Sequence, residues 1–247
     1  MALLLIVLLP FLGIVLPPLT IRYGRNLCAW SAAAPALLGL ALLLSQAPAV
    51  FRGEVLTVGW PWLPGLGLEL AFLLDGYALL FAGLILGIGL LIVLYARYYL
   101  SADDPMGRFY AMLLAFMGSM LGIVMSNNLL LLVVFWELTS ISSFLLIGYW
   151  KHLPEGRQGA RMALAVTGAG GLCLLGGMLL LGEIVGSYQL TTVLDSGDLI
   201  RAHPLYVPAL LLVLMGVFTK SAQVPFHFWL PGAMEAPTPA RDRKSVV

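Results

Sequence analysis

Three residues of this chain are of types that move protons where water is scarce: Glu137, Lys220 and His227. Glu137 stands in FWELTSISS, residues 135–143, inside a long apolar run. Lys220 opens the segment KSAQVPFHFWLP, residues 220–231, which also holds His227. Burial favours the neutral form of a carboxyl, and a neighbouring cation favours the carboxylate. Lysine balances these influences in the opposite sense. A glutamate and a lysine that face one another can therefore load and release a proton in turn. Histidine has an unperturbed pKa near 6.5, which suits relaying a proton near neutral pH. A charge near the centre of a bilayer costs on the order of 3 kcal/mol on insertion scales, so it persists with a partner, water or a function. The expected function of the three is a proton or ion relay. A purely structural interhelical ion pair is the competing reading, and for His227 so is a packed or interfacial side chain.

The neighbours of these residues bear on the same chemistry. Thr139, Ser140, Ser142 and Ser143 make the face beyond Glu137 partly polar and able to hold water. Pro225 removes a backbone donor five residues after Lys220, which reads as a broken helix with free carbonyls, or as a plain proline kink. One histidine with no matched cysteine or carboxylate spacing makes no metal site. Cys28 and Cys173 lie far apart in apolar runs and read as small fillers. Asp75 opens a predicted helix and reads as a cap or a functional carboxylate. Glu183 is expected in water at a helix end, and Arg161 reads as an anchor or as the relay's entrance. Gly168, Gly170, Gly171, Gly176 and Gly177 have close-packing spacing and do not form a nucleotide loop.

The elements that must position these residues follow from composition. The chain has 247 residues, 61% hydrophobic and 10% charged, against about 25% charged in a soluble domain. Its mean hydropathy is +0.99. That excludes an ordinary soluble enzyme, and a net charge of +1 with no basic stripe excludes a nucleic-acid binder. Only helices or closed barrels satisfy the backbone in lipid, and runs approaching twenty residues without alternation select helices. The fold expected is an all-α polytopic transmembrane bundle. Its spans are predicted at about 2–20, 27–46, 70–98, 109–125, 129–150 and 160–184, with a seventh from about 206. Residues 47–68 and 186–203 are expected as loops, the first with Trp60 and Trp62 at the headgroup layer. The turn at Ser126, Asn127 and Asn128 is so short that its two helices must be antiparallel neighbours. The apolar start, without a basic n-region or cleavage site, reads as a retained first helix. With the N-terminus outside, the cytoplasmic turns hold Arg22, Arg25, Arg97, Arg108, Lys151, Arg157 and Arg161. The outer loops then hold Arg52 and Arg201 alone. That bias follows the positive-inside rule.

The segments FWELTSISSFLLIGYW (135–150) and TKSAQVPFHFWLPGAMEAPTP (219–239) resemble the large antiporter-like membrane subunits. LDGYALLFAG (74–83) and SNNL (126–129) add to the likeness. This family includes the distal proton-pumping subunit of respiratory complex I. The wording of the two long motifs is closer to the A subunit of the multisubunit Mrp-type Na⁺/H⁺ antiporters. The resemblance covers essentially residues 1–239. It implies an antiporter-like fold with inverted repeats and a broken seventh helix. It implies a glutamate–lysine proton-transfer pair, matched by Glu137 and Lys220, and a histidine matched by His227. It further implies exchange of Na⁺ for protons, a multi-pass place in the plasma membrane, other membrane subunits as partners, and no redox cofactor. A proton-pumping subunit of a quinone-linked oxidoreductase or hydrogenase is the alternative function, and a structural membrane scaffold a third. After Pro239 the chain departs from the family pattern. Arg241, Asp242, Arg243 and Lys244 cannot continue a membrane helix cheaply. Residues 240–247 are thus expected to be an aberrant tail on the front part of a longer subunit.

Overall fold

The computed structural model describes residues 1–101, 103–150 and 154–233. The tail expected at 240–247, and Lys151 and His152 in the loop after the fifth predicted span, lie outside them. Six helices are long and apolar enough to cross a membrane. The first crossing, Ala2–Tyr23, comprises α1 (Ala2–Gly13), α2 (Leu16–Thr20) and a closing 3-10 turn. The next are α3 (Arg25–Phe51), α4 (Gly76–Tyr99), α5 (Met106–Met125), α6 (Leu129–Ile147) and α7 (Pro154–Val185). Two short helices follow, α8 (Leu190–Asp195) and α9 (Gly197–Ala202). Then comes α10 (Tyr206–Lys220), apolar but only 15 residues long. A 3-10 turn at Phe226–Trp229 and α11 (Leu230–Ala233) end the described chain.

The expected helix bundle is present, with one element of another kind. Residues Leu56–Leu63 (β1) and Leu68–Leu74 (β2) form an antiparallel hairpin, with Leu56 opposite Leu74. This corrects the expected loop to residue 68 and the helix start near Leu70. From Leu70 the apolar run of β2 leads into α4 with Asp75 the one charged residue between them, so the hydropathy average gives no boundary. Asp75 supplies it. Its backbone is extended, and its carboxylate accepts from Ala78 N at 2.8 Å, so the helix begins one residue later. Asp75 is thus a cap. The loop expected at 186–203 is likewise corrected, because α8 and α9 occupy most of it. Six-residue helices are too short for periodicity to mark them.

A large core joins α1, α3, α4 and α5 around Ile6, Val7, Ala36, Leu86, Leu114 and Leu121. A second gathers Leu129, Val133, Leu174, Met178 and Val193 from α6, α7 and α8. The α5–α6 contact is close. A Cβ on Gly122 would lie 2.3 Å from the Phe135 ring.

Polar side chains tie the helix ends together on two sides. On one, Arg25 donates to Arg97 O (3.3 Å), Leu100 O and Ser101 O (2.7 Å), capping the end of α4. On that same side Arg108 donates to Tyr149 O, and Trp150 Nε1 to Asp104 at 2.9 Å. On the other side the 126–128 turn is a clamp. Asn127 N donates to Ala71 O at 2.8 Å, and Asn127 O accepts from Leu190 N at 2.9 Å. Asn128 Oδ1 accepts from Leu130 N and Leu131 N at 3.1 Å, while its Nδ2 donates to Gly67 O at 2.9 Å. The ties place Arg25, residues 97–101, residues 104–108 and residues 149–150 together, and the hairpin, residues 126–128 and residues 188–190 together. Successive spans therefore alternate in direction.

Asn128 is 1% exposed and holds three partners at once. Asn128→Ala is expected to cost about 1–3 kcal/mol by stripping the α6 cap and leaving Gly67 O unpaired. A lowered thermal midpoint of the detergent-solubilised chain would report this, and an unchanged midpoint would contradict it.

Candidate functional site

Glu137 lies near the middle of α6, and Lys220 is the last residue of α10. They are brought near one another because α7 packs against both helices, closely at its glycines. A Cβ on Gly216 of α10 would come 2.9 Å from Gly170 O of α7 and 2.7 Å from Leu174 Cβ. A Cβ on Gly170 would come 1.7 Å from Thr219 Oγ1, next to Lys220. At the next residue, a Cβ on Gly171 would lie 1.5 Å from Glu137 Oε1. The paired glycines thus leave one space for α10 and one for the carboxyl.

The ammonium of Lys220 is directed onto α6. Nζ donates to Thr139 Oγ1 at 2.6 Å, Ser140 Oγ at 2.8 Å and Trp136 O at 3.2 Å. An ammonium has three N–H donors, and all three find acceptors here. Nζ also sits 5.3 Å from the centroid of the Trp136 ring, within cation–π range. Thr139 is 0% and Ser140 2% exposed. Both hydroxyls in turn donate to Trp136 O, at 2.7 and 3.3 Å. The end of α10 adds a favourable field, since a helix C-terminus attracts a cation.

Glu137 is placed differently. Its Oε1 is buried and has no hydrogen-bond partner among the described residues. Lys220 spans the turn that follows Glu137 but is bonded to the hydroxyls there, not to the carboxylate. The ion pairs among the described residues, Arg52–Glu54 and Arg201–Asp198, are both exposed and on other parts of the chain. His227 lies in the 3-10 turn after α10, is exposed, and among the described residues makes no hydrogen bond with Glu137 or Lys220. Beside it, Trp229 Nε1 donates to Thr219 O at 2.9 Å and ties that turn back to α10.

Comparison with known proteins bears on this arrangement. A family model described as NADH:quinone oxidoreductase/Mrp antiporter, TM matches residues 126–241, a span that includes Glu137, Lys220 and His227. A second, NADH-Ubiquinone oxidoreductase (complex I), chain 5 N-terminus, matches residues 60–110. The probable K⁺/H⁺ antiporter A/B subunit of Rhizobium meliloti is 54% identical over 94% of this chain and 23% of its own length. The chain belongs to the antiporter-like subunit family. Within it, the chain is a homologue of the Mrp-type A subunit. The Na⁺/H⁺ antiporter A subunit of Alkalihalophilus pseudofirmus is 44% identical over 93% of this chain and 29% of its own length. A chain of the Mrp complex from Dietzia sp. DQ12-45-1b superposes over 96% of this chain with a TM-score of 0.84 and 35% identity, which is 25% of that chain. A chain of an archaeal membrane-bound sulfane sulfur reductase shares the fold, with a TM-score of 0.80 and 21% identity over 95% of this chain and 48% of its own. The chain spans roughly a quarter of the length of these two curated relatives.

The other candidates of the family segment fall outside the cluster. Arg161 is exposed and lines, with Arg157, Phe144 and Gly148, a cleft of about 400 Å³ at the start of α7. Glu183 is exposed, as expected. Cys28 and Cys173 are both free, and Cys28 is buried against Pro17 O. Two parts of the site were not anticipated. One is the Trp136 carbonyl and ring. The other is the pocket that Gly171 leaves for the carboxyl. The Gly170-Gly171 pair is the signal that could have revealed the second.

Gly171→Ala forces the Glu137 carboxyl to move, whereas a Cβ on Gly168 meets nothing within 4 Å. A hydrophobic carbodiimide, which attacks buried protonated carboxyls, should modify Glu137 at a severalfold altered rate in Gly171→Ala and at the native rate in Gly168→Ala. Equal rates in both, read by peptide mass spectrometry, would contradict the placement.

Proposed function

We propose that the chain is the front, proton-handling part of the A subunit in a multisubunit monovalent cation/proton antiporter, and that Glu137 and Lys220 exchange a proton within it. One observation carries this reading. An ammonium, three hydrogen bonds deep, sits on the helix turn that follows a half-buried glutamate whose buried Oε1 has no hydrogen-bond partner among the described residues. The names of the relatives supply the cation/proton class: K⁺/H⁺ for one and Na⁺/H⁺ for the other. Na⁺ is the cation proposed, protons the ion exchanged against it, and further membrane subunits the chain's partners.

In this mechanism the hydroxyls of Thr139 and Ser140 are the intermediaries. Each accepts from the ammonium and donates to Trp136 O, so each is polarised along one direction. When Lys220 gives up a proton, its amine gains a lone pair, and either hydroxyl can reverse to donate into it. The three bonds are then kept with one charge fewer. Glu137 is the group next to this turn able to take or return that proton. Its unpartnered oxygen fits a carboxyl that spends part of the cycle protonated. The end of α10 at Lys220 and the helical turns resuming at Phe226 are read as two halves of one broken membrane helix. His227, in the second half, is proposed to pass the proton onward on the arginine-rich side.

That side is proposed to be cytoplasmic, with the N-terminus outside, from the arginine bias of the turns. In a variant lacking Cys28 and Cys173, Glu54→Cys should react with a membrane-impermeant maleimide in intact cells. Tyr23→Cys should react only after permeabilisation, and the opposite pattern would reverse the orientation. For the relay, the full-length protein with its partners is reconstituted in vesicles. Glu137→Gln and Lys220→Ala should each lower Na⁺-driven proton flux about tenfold or more, and Thr139→Val with Ser140→Ala less severely. Native flux in Lys220→Ala would overturn the relay. Flux that needs a quinone and a reductant would favour a redox-driven pump instead.

A further inference from the structure

The outer surface between α3 and α4 carries a groove of about 370 Å³. Its body is apolar, with Ala33 and Leu37 on one wall and Leu90 and Leu94 on the other. Its head, on the arginine-rich side, is polar and aromatic: Asn26, Trp30, Arg97 and Tyr98. From Asn26 to Leu37 is eleven helical rises, about 16 Å. One leaflet of bilayer hydrocarbon is about 15 Å thick. The groove therefore starts at the interface and runs through a single leaflet.

The head presents a cation without a counter-ion. Arg97 Nε donates to Asn26 Oδ1 at 2.6 Å, which fixes the guanidinium plane. Tyr98 lies 5.6 Å from it. Among the described residues the two Nη groups have no hydrogen-bond acceptor, and no carboxylate pairs with Arg97. The neighbouring Arg25 is already committed to the carbonyls at the end of α4. Asp104 is committed to Ser101 and Trp150. Two parallel N–H groups of a guanidinium match two oxygens of a phosphate. Trp30 and Tyr98, 67% and 79% exposed, flank the head as interfacial aromatics do.

We propose that this groove is a binding site for one anionic phospholipid of the bilayer, with its phosphate on Arg97 and an acyl chain laid between α3 and α4. The charge decides the headgroup, because a basic pocket between membrane helices whose arginine pairs with no carboxylate among the described residues favours a lipid of net negative charge. The volume decides against a partner helix, which is about 10–12 Å across with its side chains.

The test is native mass spectrometry of the full chain released from nanodiscs of equal phosphatidylglycerol and phosphatidylcholine. The native chain should retain one phosphatidylglycerol in clear preference to phosphatidylcholine. Arg97→Gln should lower that retention severalfold, and Arg97→Lys should restore part of it. Equal retention of the two lipids, or an unaltered preference in Arg97→Gln, would overturn the proposal. A photoreactive residue at Leu37, in the otherwise native chain within its assembled complex, guards against a folding defect. Crosslinks to lipid support the site, and crosslinks to another polypeptide overturn it.

Discussion

An ammonium inside an apolar bundle must find three acceptors, and much of this half of the structure follows from that demand. Lys220 meets it with two hydroxyls and one carbonyl, all from a single turn of α6. The carbonyl has to be on a helix that also offers hydroxyls three and four residues later, which is what Trp136, Thr139 and Ser140 are. The lysine stem has to cross from α10, so the helices must sit close. Gly216 against Gly170, and Gly177 against Val213, let α7 and α10 touch almost backbone to backbone. Replacing these glycines with larger residues would separate the lysine from its acceptors before any charge was altered.

The carboxyl is governed by the opposite rule. Glu137 is given space by Gly171 and no hydrogen-bond donor at Oε1. A buried acceptor left unpaired costs roughly 1–3 kcal/mol, more if charged. The cost is smaller if the group is neutral, or if a proton or water arrives. A fully satisfied lysine beside a glutamate with one buried oxygen unpaired among the described residues is therefore an asymmetric pair. The lysine is held by contacts that survive loss of its charge, and the glutamate gains most when it acquires a proton. An ion pair built only for rigidity would bring the two groups into contact and satisfy both.

The sequence already marked the charged centres, because charge is rare in these spans and Glu137 and Lys220 are the ones left after turns are removed. It also marked Thr139 and Ser140 as a polar face. It could not mark the Trp136 carbonyl, since every residue has one and only the packing of α10 selects it. The hairpin was hidden for a related reason. β2 is as apolar as the helix that follows, and the switch between them is a matter of one cap, Asp75. The polar turn at 126–128 was read correctly as tight. Its role as a clamp depends on Ala71, Gly67 and Leu190, which come from distant segments.

The two polar ends and the charged middle divide the work. Asn127 and Asn128 on one side, and Arg25, Arg108 and Asp104 on the other, lock the helix ends by hydrogen bonds to backbone or indole groups. These contacts do not involve Glu137 or Lys220. The proton exchange proposed for the middle would then leave these contacts intact. The hydroxyls of Thr139 and Ser140 are suited to that middle position, because a hydroxyl can donate or accept by rotating about one bond. A carboxamide or a second carboxylate there would fix one pattern. In the relay proposed for this site, the direction of the hydrogen bonds, rather than the position of the helices, is the quantity that varies.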